Sequence, residues 1–290
     1  MSLGEYTYSA VVRSFICCRP VPVAIAFLFI ATGEKRNSNK TRLQLLKIHG
    51  CKIITKYLLY PKIYKFAVMN KVAVIVAGGN GTRMNSELPK QFLLLKGKPV
   101  LYYTIHTFLQ SYDDLEIILV LPEEHIAAGQ EIIDAFFDYK RIQITTGGRT
   151  RFHSVQNGLV LITEESMVFV HDGVRCLLTT DLVKRCYEAA VELGSAIPIV
   201  DCKDSVRLIK GEMNEAIERS RVKLVQTPQT FHSKILLPAF KIDYKDKFTD
   251  EATVVEAFGL KVNLIEGEEN NIKITRPVDL IVAEQLVTAL

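Results

Sequence analysis

Lys71-Val72-Ala73-Val74-Ile75-Val76-Ala77-Gly78-Gly79-Asn80-Gly81-Thr82-Arg83-Met84 decides the fold class of this 290-residue chain. Residues 72–76 are a short β-branched run, suited to a strand buried on both faces, and they pass directly into a glycine-rich loop. Lacking side chains, Gly78, Gly79 and Gly81 let backbone N–H groups approach and cradle phosphate oxygens. The loop is neither a dinucleotide fingerprint nor a Walker A loop: Met84 occupies the third glycine of G-x-G-x-x-G, and no Gly-Lys-Ser/Thr appears. By itself it also reads as a tight glycine turn. Arg83 and Lys90 shift that balance, because two cations behind such a loop can neutralise charge on a transferred phosphoryl group and a plain turn needs neither.

Outward from this stretch the pattern is strand, loop, helix, repeated. Leu101, Ile105, Phe108 and Leu109 have helical spacing over residues 99–110, and residues 115–121 return to strand. Residues 123–139 read as helix, 141–145 as strand, 168–170 as strand, 181–193 as helix and 196–200 as strand. Regularity loosens over residues 201–225, where a Lys210-Gly211-Glu212 turn between the runs 205–209 and 222–225 suggests a protruding hairpin arm. Helices are expected around 235–240 and 250–258, a strand at 261–265 and a last helix after Pro277. The expected fold is α/β, a doubly wound, mainly parallel sheet with helices on both faces.

Composition agrees with a globular protein holding a sizeable core: 48% hydrophobic, 23% charged and 9% aromatic. The longest apolar run, residues 21–31, is interrupted by Pro22 and is well short of the roughly 20 residues that cross a bilayer, so no membrane span is expected. The net charge of +4 is unevenly placed, with eleven Lys or Arg against Glu5 and Glu34 in residues 1–68, a balance of +9. Residues 1–68 form a basic leader for which three readings compete: a targeting segment, a membrane-surface or nucleic-acid arm, or residues upstream of a true start at Met69. The last is the expectation, because Met69-Asn70-Lys71 opens at once into a strand. The six cysteines show no C-x-x-C spacing, which argues against a disulfide framework or zinc site and fits a reducing compartment.

In an open parallel sheet, ligands sit beyond the carboxyl ends of the strands, so the loops there carry the candidates. Gly147-Gly148-Arg149-Thr150-Arg151-Phe152-His153-Ser154 offers small residues and hydroxyls suited to a base edge, with arginines for phosphate; it also reads as an ordinary helix start. In His171-Asp172-Gly173-Val174-Arg175, Asp172 is a magnesium-associated carboxylate or a cap, and His171 is expected to be packed rather than a general base. Thr249 ahead of Asp250 and Glu251 has an adequate explanation as an N-cap, and Lys273 in a loop is ambiguous alone.

Taken together, seven motifs occur in order: Ala77-Gly78-Gly79-x-Gly81-x-Arg83-Met84, Pro89-Lys90-Gln91-Phe92, Ser154-Val155-x-Asn157-Gly158-Leu159, His171-Asp172-x-x-Arg175, Thr227-Pro228-Gln229-x-Phe231, Thr249-Asp250-Glu251-Ala252 and Asn271-Ile272-Lys273-Ile274-Thr275-x-Pro277-x-Asp279-Leu280. In these, residues 69–290 resemble the 2-C-methyl-D-erythritol 4-phosphate cytidylyltransferases of non-mevalonate isoprenoid synthesis. The resemblance implies a Rossmann-like nucleotidyltransferase fold and transfer of CMP from CTP to methylerythritol phosphate, with Mg2+ and release of pyrophosphate. It implies that Arg83, Lys90 and Lys273 stabilise the reacting phosphate. Ala77, Gly78, Gly79, Gly81, Gly148, Arg151, Ser154 and Asp172 would bind the nucleotide, and Asp172, Arg175, Arg219, Thr227 and Thr249 the second substrate, with Asp172 also the candidate metal ligand. It further implies a homodimer through the 201–225 arm, so that Arg219 serves the neighbouring site. No nucleic-acid partner is expected, and the compartment is cytoplasmic, or a plastid-type organelle if the leader is a genuine transit segment.

The chain departs from the family where His-Asp-Ala-Ala-Arg-Pro becomes His171-Asp172-Gly173-Val174-Arg175-Cys176, losing a proline that would stiffen the loop. Val174 also resembles the related ribitol-5-phosphate cytidylyltransferases, which stand as the alternative; a catalytically silent nucleotide-binding homologue is another. Thr249-Asp250-Glu251-Ala252-Thr253 favours the methylerythritol enzymes, and retention of Arg83, Lys90, Asp172 and Lys273 together speaks against silence.

Overall fold

The computed structural model describes residues 69–79 and 88–287; the leader, residues 1–68, and Gly81 and Arg83 lie outside the described residues. Strand β1 (Asn70–Val76) is buried from Lys71 onward, and its side chains alternate as period two requires. Ala73 and Ile75 enter one apolar layer, and Val72, Val74 and Val76 the other. The chain continues through β2 (Leu94–Leu95), β3 (Lys98–Pro99), α1 (Val100–Ser111), β4 (Leu115–Leu121), α2 (Ile126–Phe136), β5 (Ile142–Thr146), α3 (Arg151–Leu159), β6 (Ser166–Asp172), α4 (Thr180–Leu193) and β7 (Ser195–Asp201). There follow β8 (Val206–Lys210), β9 (Met213–Ile217), β10 (Lys223–Val225), β11 (Gln229–His232), α5 (Ser233–Ala239), α6 (Glu251–Ala257), β12 (Leu264–Glu266) and α7 (Pro277–Leu286).

The main sheet has the order β10-β7-β11-β6-β1-β4-β5, with β12 beside β7. β6, β1, β4 and β5 run parallel, as does β12 with β7, whereas β11 lies antiparallel between β6 and β7 and β10 antiparallel to β7. Helices cover both faces, as expected of a doubly wound sheet. Leu101 and Phe108 of α1, Ile133 of α2 and Leu182 and Cys186 of α4 close one layer; Phe152 and Val155 of α3, Leu236 of α5 and Val255 of α6 close the other. Each large apolar side chain fully buried in this way contributes about 1.5–3 kcal/mol, so both layers are needed to hold the strand ends in place.

Three differences from the sequence expectation have physical causes. The turn at residues 210–212 is present, with Gly211 at φ 63°, but β8 pairs with β9 and not with residues 222–225, which become β10 on the edge of β7. β9, Met-Asn-Glu-Ala-Ile, lacks the β-branched run that marks a strand, and its side chains are almost all exposed. β11, four residues long, mixes Gln, Thr, Phe and His and follows a proline, so its buried place in the sheet is tertiary in origin. α2 is shorter than residues 123–139, because Glu123–His125 and Tyr139–Arg141 form separate 3-10 turns.

Candidate active site

At the carboxyl ends of β1, β5 and β6 the chain leaves the sheet under tight backbone control. Ala77 N–H donates to Val120 O (3.0 Å), Gly147 N–H to Leu121 O (2.7 Å) and Gly173 N–H to Val76 O (2.9 Å). Each loop is thereby held against a neighbouring strand end, which is where sheet topology concentrates ligand contacts.

Asp172, the last residue of β6, sits at the centre of a charge cluster. Arg151 Nε donates to its Oδ1 at 3.1 Å, Lys273 Nζ lies 2.8 Å from Oδ2, and Arg175 Nε is 3.7 Å from Oδ2. Arg151 also makes a forked pair with Glu251, Nη1 to Oε1 at 2.5 Å and Nη2 to Oε2 at 3.1 Å. Burial alone would raise the Asp172 carboxyl, but Arg151, Lys273 and Arg175 outweigh it and hold the group far below the usual carboxylate range. Burial likewise lowers the Arg175 guanidinium and raises Glu251, in each case with partial relief from the opposite charge. For Arg151 the two carboxylates outweigh burial, so its charge is locked on.

Behind Asp172, His171 is completely buried. The Arg175 carbonyl can only accept, so His171 Nε2–H donates to it (3.3 Å), its Nδ1 accepts from Thr227 Oγ1 (3.0 Å), and that hydroxyl oxygen accepts from the Asp172 N–H (3.1 Å). Burial holds this imidazole neutral, with its pKa pushed down to about 3. It is a packed histidine that orients the strand end, and the Thr227 hydroxyl is committed to the same task.

A cavity of about 220 Å³ opens beside the cluster, lined by Arg151, Asp172, Arg175, Thr227, Thr249 and Lys273 together with Val225, Gln226, Gln229 and Asp250. A larger hollow, about 340 Å³, lies at the opposite ends of the strands among Asn70, Glu116, Arg141 and Glu164. It contains none of the motif residues, and we therefore take the smaller cavity as the site. Lys90 lies in a short 3-10 turn (Lys90–Phe92), is buried, and donates to Ile274 O at 3.0 Å, next in the chain to Lys273. A Cβ added to Gly79 would stand 3.5 Å from Lys90 Cε, so the glycine loop passes directly over this lysine. Gln91 Nε2 fastens the turn to Ala77 O at 2.9 Å.

Gly148 and Ser154 are brought together in the loop before α3. Ser154 Oγ accepts from Gly148 N (3.0 Å) and donates to Thr150 O (3.0 Å), so its hydroxyl braces the loop from inside. A Cβ on Gly148 would meet His153 Cβ at 2.4 Å and its carbonyl carbon at 2.9 Å, which restricts this position to glycine. Arg219 is not among the residues lining the cavity; it lies at the foot of the arm, donating to Lys203 O at 2.9 Å. Thr249 lines the cavity but is not the cap of α6: Asp250 Oδ1 accepts from Thr253 N at 2.9 Å and Thr253 Oγ1 closes a capping box.

Several residues that hold the site escaped the sequence reading. Gln229, wholly buried, donates to Asp250 Oδ2 (2.9 Å) and accepts from Ala252 N (2.8 Å), which fixes the start of α6 and with it Glu251. Asn271 Nδ2 donates to Thr227 O at 2.9 Å. Both stood inside quoted motifs, but only the strand pairing reveals their partners. The Gly173-Val174-Cys176 departure also finds its compensation. Gly173 O accepts from Thr104 Oγ1 (3.1 Å), Val174 O accepts from Ile274 N (3.0 Å), and Val174, Cys176 and Ile274 are buried in one apolar cluster. Burial holds the loop where a proline would have restrained φ. An alanine at 173 would bring its Cβ to 2.9 Å from Ala77 Cβ.

Comparison with known proteins agrees with this geometry. Residues 71–289 match the family model described as IspD, 2-C-methyl-D-erythritol 4-phosphate cytidylyltransferase. Proteins of that name from Bacteroides fragilis and Phocaeicola vulgatus are 46% and 44% identical, each aligned over 76% of this chain and 100% of the relative. The structure of 4-diphosphocytidyl-2C-methyl-D-erythritol synthase from Anaerococcus prevotii superposes with a TM-score of 0.65 at 29% identity, over 75% of this chain and 95% of that one. The 2-C-methyl-D-erythritol 4-phosphate cytidylyltransferase of Thermus thermophilus gives 0.58 at 31% identity, over 74% and 98%. With seven motifs in register, a doubly wound sheet and full-length matches of this kind, the chain belongs to the 2-C-methyl-D-erythritol 4-phosphate cytidylyltransferase family, a family of nucleotidyltransferases.

Proposed function

We propose that this chain transfers CMP from CTP to the phosphate of 2-C-methyl-D-erythritol 4-phosphate. A phosphate oxygen of the polyol attacks the α-phosphorus, the α–β bridging P–O bond breaks, and its electron pair leaves with pyrophosphate. The observation that carries the reading is the cavity in which Lys273, Arg151 and Arg175 surround Asp172, with the Lys90 ammonium held on the carbonyl next to Lys273. The nucleophile is an anion at neutral pH, so no Ser-His or Cys-His pair is required, and His171 is unsuited to be a general base. Rate enhancement then comes from positioning and charge stabilisation.

In this reading Lys90 and Lys273, with Arg83, stabilise the reacting phosphate. Ala77, Gly78, Gly79 and Gly81 pass over the triphosphate, Gly148, Arg151 and Ser154 shape the cytidine pocket, and Arg175, Thr227 and Thr249 border the polyol phosphate. A divalent cation would be carried mainly on the nucleotide's phosphates, with Asp172 the carboxylate beside it, its oxygens shared with Arg151 and Lys273. Both Asp250 oxygens are committed to Thr253 and Gln229, and among the described residues no three His, Cys, Asp or Glu side chains converge. Such an ion, when bound, would supply charge neutralisation at the triphosphate.

The β8–β9 arm supports a homodimer. An isolated two-stranded hairpin is only marginally stable in water, and this one exposes Leu208, Ile209 and Met213. Packing against a second copy would bury them, and Arg219 at its foot would then reach the neighbouring site. Among the described residues no helix is long and apolar enough to cross a membrane. We propose residues 69–290 as the catalytic unit and, from its demand for CTP and the cysteine pattern, the cytoplasm as its compartment, with a plastid-type organelle the alternative if residues 1–68 are a transit segment.

The ribitol phosphate alternative is not favoured, since relatives at 42–46% identity carry the methylerythritol phosphate name. The test is pyrophosphate release from CTP and Mg2+ by the full chain and by a version starting at Met69, offered methylerythritol 4-phosphate and ribitol 5-phosphate separately. Turnover on the first alone, abolished by EDTA, is expected; turnover on ribitol phosphate, or on neither, overturns the proposal.

A further inference from the structure

We propose that Glu251 is a positioning residue for the transfer, holding the Arg151 guanidinium so that one oxygen of Asp172 remains for Lys273. The inference rests on the function proposed above.

Glu251 is 0% exposed, and burying a carboxylate is costly unless it is paired. Local structure does not account for it. The start of α6 is capped by Asp250 with Thr253 and fastened by Gln229, so the helix does not need the Glu251 side chain. Nor does α3 need Arg151, which stands at its first residue, where a cation opposes the helix dipole. What the two side chains do is meet each other. Both terminal nitrogens of Arg151 go to the two oxygens of Glu251, which leaves Nε as the donor to Asp172 Oδ1. Oδ2 then pairs with Lys273 at 2.8 Å, with Arg175 Nε farther off at 3.7 Å.

Replacing Glu251 by Gln keeps the volume but frees the fork. Arg151 can then turn its terminal nitrogens toward Asp172 or into the cavity and compete with Lys273. The cavity also gains one positive charge, since Arg151, Arg175 and Lys273 would face only Asp172. Ground-state affinity for two anionic substrates is therefore kept or improved, while the geometry required for transfer is lost. This is a split between KM and kcat that simple destabilisation does not produce.

The experiment measures initial rates for the full chain and for Glu251→Gln, varying CTP and methylerythritol 4-phosphate separately, with active sites counted by CTP-binding stoichiometry. Wild-type turnover tests the proposed function; if there is none, this inference falls with it. With wild-type turnover present, Glu251→Gln is expected to lower kcat per CTP-binding site by roughly 10- to 100-fold, with neither KM raised. A kcat per site within about twofold of wild type, or a loss confined to KM, overturns the inference. Should Glu251→Gln fail to fold, Glu251→Asp replaces it: the charge is kept, but the shorter side chain cannot hold both terminal nitrogens of Arg151 in the paired geometry. It is expected to show the same fall in kcat, and a wild-type kcat in that variant overturns the inference equally.

Discussion

At the scale of single residues, the site is an exercise in keeping charges paired until a substrate arrives. Asp172 accepts from Arg151 and Lys273, and Lys90 rests on Ile274 O, so the cations are ordered in advance. Preorganised donors of this kind stabilise developing charge without reorganising, and losing one costs on the order of 10²–10³ in kcat. Lys90→Ala is therefore expected to reduce turnover at least that far while leaving the circular dichroism spectrum and CTP binding recognisable; a near-normal rate would remove Lys90 from the mechanism. His171 makes a different prediction. Its pKa is pushed from 6.5 down to about 3 by burial, so between those values the unfolded chain binds a proton that the folded chain refuses. Stability is unaffected by His171 above about pH 6.5 and falls as pH drops through that window. Asp172 acts in the same direction, but its contribution is lost only below about pH 4. Urea midpoints at pH 7, 5.5 and 4.5 should fall progressively, and the fall should be shallower in His171→Gln.

At the scale of elements, what was legible in the sequence depended on whether an element is specified locally. β1 and β4 read correctly because short runs rich in Val, Ile and Leu suit strands buried on both faces and are too short for buried helices, and Pro277 marked the start of α7 because proline fits the first turn of a helix. β11 and β9 were not legible, since a short mixed segment becomes a strand only when a neighbour supplies the ladder. The loop before α3 was visible as glycines, but why Gly148 must be glycine was not. Gly148→Ala would drive its Cβ into the His153 backbone, so the first turn of α3 has to shift. We expect a loss of about 1–3 kcal/mol in stability and a weakened affinity for CTP, read by thermal melts and calorimetric titration. An unchanged melting temperature would show that the loop relaxes freely.

At the scale of the whole molecule, the β8–β9 arm is exposed along almost its entire length. If the proposed dimer forms through this arm, replacing residues 206–217 by a short glycine turn should leave the main sheet folded, give a monomer in sedimentation equilibrium, and depress turnover through loss of the contribution proposed for Arg219. A shortened protein that stays dimeric, or a full chain that is monomeric at micromolar concentration, would count against the dimer.

By itself the sequence determined the fold class, the family and the order of the motif residues, because hydrophobic period, glycine loops and cations are properties of neighbouring positions. The tertiary structure alone decided which charges meet. Arg151 and Glu251 are a hundred residues apart, and only the placement of α3 and α6 on one face of the sheet pairs them. It likewise decided that the Thr227 hydroxyl serves His171 and that burial of Val174 and Cys176 replaces a proline. Such pairings depend on strand order and packing, and no local pattern encodes them.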